Sequence, residues 1–506
     1  MAVIDARARQ IEFLKEIHKR PGITPRLWAT FSEITTIPRP SHSEGPMVDY
    51  LELLAVNSGL QYERDPHNNI FIHVPATSGY EKAPKIILQC HSDMVPQREK
   101  DAEYDPSKDG VHAIVHPDGS ITADKTTLGA DNGIGVAIAL TAVADPEIQH
   151  GEIGILVTST EEEGLEGAEK LDFESMRNFD YMLNLDSEKE GEVTIGSAGG
   201  GYSHITMPLE KISRGDKKLY SLDISGLEGG HSGLEINLNG GNSIKVLAQI
   251  LSEALNGLEI NLVSISGGDV LNAIPKVSKA TIAVREDQIE KLNELIEQAK
   301  AKIRSEFNLE KERDNFNTKL EPSEDTSDVM LSSDSSSKVL QLIADLPHGV
   351  KEMTGDSVLT STNLARIETG EADLRISMMS RSAIVENLNE QRKDIEVAAN
   401  SEKYPGISVE QIKPFPGWEP RENTKLLETA KQVYKELTGK DLKLDVTHGG
   451  LECGLIGNKY PNLLASTISL GSTIDGAHKT VETTYVDSNE RTYRFVKALI
   501  TSLSNS

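Results

Sequence analysis

Cysteine is almost absent from this chain of 506 residues, with only Cys90 and Cys453 present. Two thiols cannot staple a protein of this size, which excludes a disulfide framework and fits a reducing cytoplasm. A basic excess is missing as well. With 52 Lys and Arg against 79 Asp and Glu, the formal charge of -27 repels phosphate backbones and argues against nucleic-acid binding. No apolar run approaches a membrane-spanning length. The opening MAVIDARARQIEFLKEIHKR mixes acids and bases and has no apolar stretch followed by small residues, so no secretory leader is expected. Neither a repeat nor a heptad pattern runs through the chain. The compositionally odd stretch EPSEDTSDVMLSSDSSS at 321–337 is read as a solvated loop, because its Ser and Asp density leaves little to bury.

What is present in the first two hundred residues is an alternation of apolar runs and helical patterns: Ile86 to Leu88, GIGVAIALTAVA at 133–144, Ile153 to Thr158, Tyr181 to Leu185. That alternation predicts an α/β fold, a mostly parallel sheet with helices on its faces. Past GEVTIGSAGGGYSHITM the texture changes. Strand-like LYSLDISG, KATIAVRE and DLRISMMSRS surround amphipathic helices such as EDQIEKLNELIEQAKAKIRSEF, in which Ile289, Leu292, Ile296 and Ile303 recur at helical spacing. This reads as a separate α+β domain. NTKLLETAKQVYKELTG and LLASTISLG then return to helix and strand patterns. The expected division is a catalytic domain in two parts, 1–197 and 388–506, around an inserted α+β domain at 198–387.

Five short segments carry the chemistry: LQCHSDMV with His91 and Asp93, TTLGADNGIG with Asp131, TSTEEEG with Glu161 and Glu162, NLDSE with Asp186, and TIDGAHKTVE with His478. Most follow an apolar run or open a helical one, which is how an α/β protein gathers distant side chains at one sheet edge. Two hard divalent cations about 3.5 Å apart need a bridging carboxylate, terminal His or carboxylate ligands, and open positions for water and substrate. In an extended chain His91 and Asp93 face the same side, so Asp93 can fix the tautomer of His91. Adjacent glutamates at a strand end let one bind metal while the other stays free as a base. Taken singly, each residue has a plainer reading: Asp131 as a helix N-cap, the Glu run as a solvated face, Asp186 as a turn residue, His478 as a surface or core histidine. If His478 shares a site with His91, the second domain must be inserted in the first.

These segments, with GLEGGHSGLEI, LNAIP and HGGLECGLI, resemble the di-zinc exopeptidases, a family of carboxypeptidases, aminoacylases and dipeptidases, and within it the aminoacyl-histidine dipeptidase branch. The resemblance runs from about residue 80 to 482. It implies that Asp131 bridges two ions, with His91 and Asp186 completing one site and Glu162 and His478 the other. Gly164 sets the register of the Glu run, so that Glu161 is the general base and Glu162 the ligand. Asp93 orients His91, and the Asp131–Asn132 peptide is cis. His231 in GGHSG steadies the oxyanion, while Asn272 and Arg381 grip the substrate's terminal carboxylate, with Arg285 a rival for the last role.

The resemblance further implies dipeptides as substrates, X-His among them, and a homodimer in which His231 serves the neighbouring subunit. The cofactors would be two divalent ions, zinc first, with manganese or cobalt accepted by the same donors. Cys90 stands where a small residue is expected, and its place in a strand turns it away from the ligand face, so it is read as packing. Two other readings share parts of the pattern. A carboxypeptidase or N-acyl-amino-acid hydrolase would use every ligand but take blocked substrates. A non-catalytic metal-binding scaffold would have no reason to keep Glu161 beside Glu162 or Asp93 beside His91.

Overall fold

Ile86–His91 carries IILQCH with every residue buried, and Ile153–Thr158 carries IGILVT in the same state. Continuous apolar, β-branched runs suit strands covered on both faces. In this computed structural model, which describes residues 2–505 apart from Asn239, Asn256 and Asp356, the two strands run parallel, with Cys90 opposite Val157 and His91 opposite Thr158. Tyr181–Asn184 and Thr467–Ser469 extend the parallel centre. Gln61–Arg64 and Ile70–Val74 flank it antiparallel on one side, and Glu192–Ser197 on the other, in an eight-stranded sheet edged by Lys443–Thr447. The α/β class therefore stands, with a sheet parallel at its centre and mixed at its margins. Gly154 is needed where it sits, since a Cβ there would come within 2.2 Å of the Phe71 ring.

Helix Ala130–Val143 packs against the strand ending in His91 and against helix Pro25–Thr35. The C-terminal helix Val486–Ser504 buries Phe495, Val496, Leu499 and Leu503 and packs on Lys425–Thr438. Thr424 caps that last helix through Leu427 N–H, and Gly439 ends it in the left-handed region, the expected chemistry at both ends.

The chain divides into two compact units. The first comprises Met1–Gly196, Pro420–Asp445 and Leu451–Ser506, the second Ser197–Glu419 and Val446–Gly450. The return to the first unit thus comes at Pro420, later than the 388 expected from sequence texture. Helix Val385–Ala399 places Leu388, Ile395 and Ala399 inward, the last two in the second unit's core, and Ser408–Gln411 pairs with Gly199–Pro208 at that unit's sheet edge. That nine-stranded sheet is antiparallel throughout its registered pairs, and Ser243–Leu255, Ile289–Glu306 and Ser333–Asp345 contribute to the same core.

The stretch 321–337 is no continuous solvated loop. Val329–Leu331 pairs with Lys211–Ser213, and Ser332 caps helix Ser333–Asp345 by accepting the Ser335 N–H. Val339, Leu340, Leu342 and Ile343 then bury one face of that helix. A dense serine run can be a helix start as readily as a loop when an apolar stripe follows it. Among the described residues no helix is long and apolar enough to cross a membrane.

Candidate active site

In the first unit three neighbouring parallel strands end in candidate ligands. His91 closes its strand, Glu161 and Glu162 follow Thr158, and Asp186 follows Asn184, all beyond the carboxyl ends where open α/β sheets gather their chemistry. Asp131 enters from the start of helix Ala130–Val143, with non-helical φ/ψ at Asp131 and Asn132 and a cis peptide between them, as the resemblance implied. His478 enters from the loop between Ile474–Asp475 and Thr483–Tyr485 with a positive φ of 63°.

The geometry centres on Asp131. Its Oδ1 lies 3.0 Å from His91 Nε2 and its Oδ2 lies 3.1 Å from His478 Nε2. His91 Nε2 also lies 3.2 Å from Asp186 Oδ1, and His478 Nε2 lies 2.7 Å from Glu162 Oε2. Two triads result, His91 with Asp131 and Asp186, and His478 with Asp131 and Glu162, each with its ligand atoms within 4.8 Å of one another. Glu161 and Glu162 also form such a group with His91.

Asp93 serves several partners at once. Its Oδ1 lies 3.3 Å from His91 Nδ1 and accepts the Glu161 N–H at 3.0 Å, while Oδ2 accepts the Glu162 N–H at 3.2 Å and the Ser41 hydroxyl at 2.8 Å. One carboxylate thus orients an imidazole and fixes the backbone of the neighbouring glutamates.

The electrostatics are those of a cation site. Burial pushes the Glu161 carboxyl well up, and Asp186 and Glu162 add to that against the pull of His91. Burial likewise raises Glu162 and Asp186. For Asp131 burial acts upward too, but hydrogen bonds with His478 and His91 outweigh it and hold the group well below the usual range. Hydrogen bonds to Asp131 and Glu162 carry His478 up to about 11. Imidazoles whose affinity for a proton is raised by the carboxylates around them mark where positive charge is wanted. Glu162 Oε1 is buried with no hydrogen-bond partner. Hard oxygen and imidazole donors, a carboxylate whose two oxygens face different histidines and an unsatisfied ligand atom fit divalent ions well.

Beneath the ligands lies a polar network. Glu452 Oε2 accepts from Gln89 Nε2 and from Thr158 Oγ1, each at 2.6 Å. Gln89 Oε1 accepts from Asn184, whose own Oδ1 accepts the Asp186 N–H at 3.3 Å and the Ser469 hydroxyl. The strands bearing His91, the glutamates and Asp186 are thereby joined through side chains as well as through the sheet ladder.

The second unit holds its own polar group. His231 pairs with Ala273 across a two-residue ladder, which sets Asn272 beside it. The His231 Nδ1 accepts the N–H groups of Gly233 and Leu234 at 3.3 and 3.2 Å, which leaves its proton on Nε2, free to be donated. Burial and the Arg381 charge keep this imidazole below its ordinary value. Arg381 is buried, its Nε lies 3.5 Å from Ser232 Oγ, and no ion pair joins it to a carboxylate among the described residues. Arg285, by contrast, is half exposed and holds Asp287 through two bonds of 3.0 Å.

The sequence matches the peptidase family M20/M25/M40 over residues 87–502. The chain belongs to that family. It is 34% identical to the cytosol non-specific dipeptidase of Escherichia coli strain K12 over 470 residues, covering 91% of this chain and 94% of that protein. Its fold matches the crystal structure of aminoacylhistidine dipeptidase from Vibrio alginolyticus with a TM-score of 0.83 at 32% identity, covering 96% of this chain and 98% of that one. Aminopeptidase PepT from Bacillus cereus shares the fold, with a TM-score of 0.57 at 18% identity over 95% of this chain and 99% of that one. As an M20 peptidase the chain is a hydrolase of peptide bonds.

Several residues of this M20 peptidase were not singled out from sequence. His448, within HGGLECGLI, places Nε2 2.7 Å from Ser361 Oγ in the second unit, and burial together with Arg381 brings its imidazole down to about 3. Glu44 accepts the N–H and hydroxyl of Thr160 at 3.0 and 2.8 Å, next to Glu161. Glu452, Arg39 and Glu482 complete the set. The available signal was a charged residue inside a recognised motif, TIDGAHKTVE for Glu482 and HGGLECGLI for Glu452, whereas Arg39 and Glu44 lie in IPRPSHSE, outside every motif singled out.

Proposed function

We propose that the protein is a metal-dependent dipeptidase that cleaves unblocked dipeptides, X-His among them, in the cytoplasm. The observation that carries this reading is Asp131, whose two oxygens face two different His-carboxylate pairs while Glu161 stands beside them. Likeness to the E. coli and Vibrio enzymes over nearly the whole chain supports the substrate class.

His91, Asp186 and Asp131 would hold one divalent ion and Glu162, His478 and Asp131 the other, zinc first, with manganese or cobalt as alternatives; bound there, they would supply Lewis acidity and acidify the attacking water. Glu161 takes the proton of that water and passes it to the departing amine. Its raised affinity for protons, a product of burial among carboxylates, suits it to both halves of the transfer. Asp93 keeps the His91 ring and the Glu161 backbone in place through the cycle. His231 donates its Nε2–H to the developing oxyanion. Arg381, a buried guanidinium without a carboxylate partner among the described residues, takes the substrate's terminal carboxylate together with Asn272. Gripping that end confines cleavage to short peptides.

The test is a panel of free dipeptides, including X-His, set against their N-acylated forms. Cleavage of the free series and weak action on the blocked one supports a dipeptidase. The opposite preference assigns the chain to carboxypeptidase or N-acyl-amino-acid hydrolase chemistry.

A further inference from the structure

Asp131 is not held by the helix it introduces. Its φ/ψ of -79° and 112°, and those of Asn132, lie outside the helical region. What grips its backbone is a side chain from a distant segment. Glu482 Oε2 accepts the N–H groups of Leu128 and Gly129 at 2.8 and 2.9 Å, and Oε1 accepts that of Asp131 at 3.2 Å. From the other side Arg39 donates to carbonyls only: Nη1 to Ser92 at 3.0 Å and Asp93 at 2.6 Å, and Nη2 to Gly129. The Gly129 residue is therefore clasped at its N–H by a carboxylate and at its C=O by a guanidinium. It has to be glycine, because φ is +66° and a Cβ would come within 2.7 Å of both Arg39 Nη2 and Met94 Sδ.

Both charges are buried, with Arg39 1% and Glu482 2% exposed. A lone buried charge is costly, and these two compensate one another around uncharged backbone, with the Asp93, Asp131 and Glu162 charges also attracting Arg39. Glu482 stands four residues after His478, whose Nε2 meets the other side of Asp131. One short loop thus supplies both a candidate ligand and the clasp on the candidate shared ligand.

We infer that Glu482 and Arg39 are positioning residues that hold Asp131 in the geometry in which it can serve two ions at once. The inference rests on reading the His-carboxylate cluster as a metal site. Glutamine at 482 can present one carbonyl oxygen, but its NH2 must then face a backbone N–H, so three convergent donors cannot all be satisfied. Asp131 would keep its carboxylate and lose its fixed aim. Supporting groups of this kind alter metal affinity by about 10–100-fold.

The experiment titrates Co2+ into the full-length, chelator-treated protein, native and Glu482→Gln, with heat and visible absorption as readouts and circular dichroism to establish that each is folded. The expected result is a folded variant whose affinity for both ions falls about 10–100-fold with an altered Co2+ spectrum. A variant that melts earlier yet binds Co2+ with native affinity and spectrum shows a merely stabilising side chain and overturns the inference. Should Glu482→Gln fail to fold, Arg39→Lys, which keeps the charge and loses the fork, is read by the same criteria. Native protein that takes up no Co2+ would instead overturn the metal-site reading, and the positioning role with it.

Discussion

Glu162 Oε2 stands 2.7 Å from His478 Nε2. The neighbouring Glu161 makes no such approach, for its nearest imidazole is His91 at 3.9 Å, and its side chain is 14% exposed where that of Glu162 is 3%. Consecutive carboxylates thus have different surroundings, one closed in with a histidine and one left open beside the cluster.

That difference separates their variants. Glu161→Ala should retain bound metal and lose activity by at least the 10²–10⁴-fold typical of general-base help, whereas Glu162→Ala should lose metal first. Elemental analysis alongside a dipeptide assay distinguishes them. An emptied site in Glu161→Ala with intact metal content in Glu162→Ala would show that the two roles are exchanged.

Because both oxygens of Asp131 face histidines, Asp131→Ala should weaken both ions together. His478→Ala removes a donor from one triad only and should leave one ion tightly held. Stepwise metal titration reads this directly, and equal effects of the two substitutions would contradict a shared carboxylate.

Whether His231 acts on its own chain or a partner's is decided by mixing inactive variants. If the protein is a dimer with shared sites, His231→Ala and Glu161→Ala subunits allowed to exchange should regain activity, towards half the native value per heterodimer. Demonstrated exchange without recovery assigns His231 to its own chain or to no catalytic role.

His348, in the second unit, gives a pH dependence remote from the metal cluster. Burial, with the Lys245 charge beside it, lowers its imidazole to about 4, and its Nδ1 accepts the Leu364 N–H at 3.3 Å. The unfolded chain binds a proton near pH 6.5 that the folded state refuses until about 4. Stability is therefore complete above 6.5 and falls through that window, by roughly 3 kcal/mol. His348→Asn, which retains an acceptor without a titrating ring, should flatten the profile of the second unit's unfolding transition. Parallel profiles for native and variant would contradict this account.

Most of the candidate ligands were legible because they follow a strand or open a helix, so that apolar pattern and ligand residue announce one another, while His478, in a loop, was legible only through its motif. Glu482, Arg39 and Glu44 were not, although Glu482 lies within the motif that carries His478. Their partners are backbone atoms far along the chain, and a carboxylate that grips N–H groups leaves no pattern in spacing. Glu452 was hidden for a related reason, since its partners Gln89 and Thr158 look like ordinary strand residues until the sheet sets them side by side. The division near 388 failed on local texture, because helix Val385–Ala399 carries no mark of the sheet it packs on. Serine content misled at 332–337, where Ser332 starts a helix whose apolar stripe lies beyond the odd composition.

In the proposed function this peptidase would work through two ions gathered around Asp131. The most direct measurement is hydrolysis of a free dipeptide by chelator-treated protein as Zn2+ is restored, with bound metal determined at each step. Activity should be negligible without metal and reach its plateau as two ions bind per chain. Full activity in protein shown to be metal-free would contradict the claim.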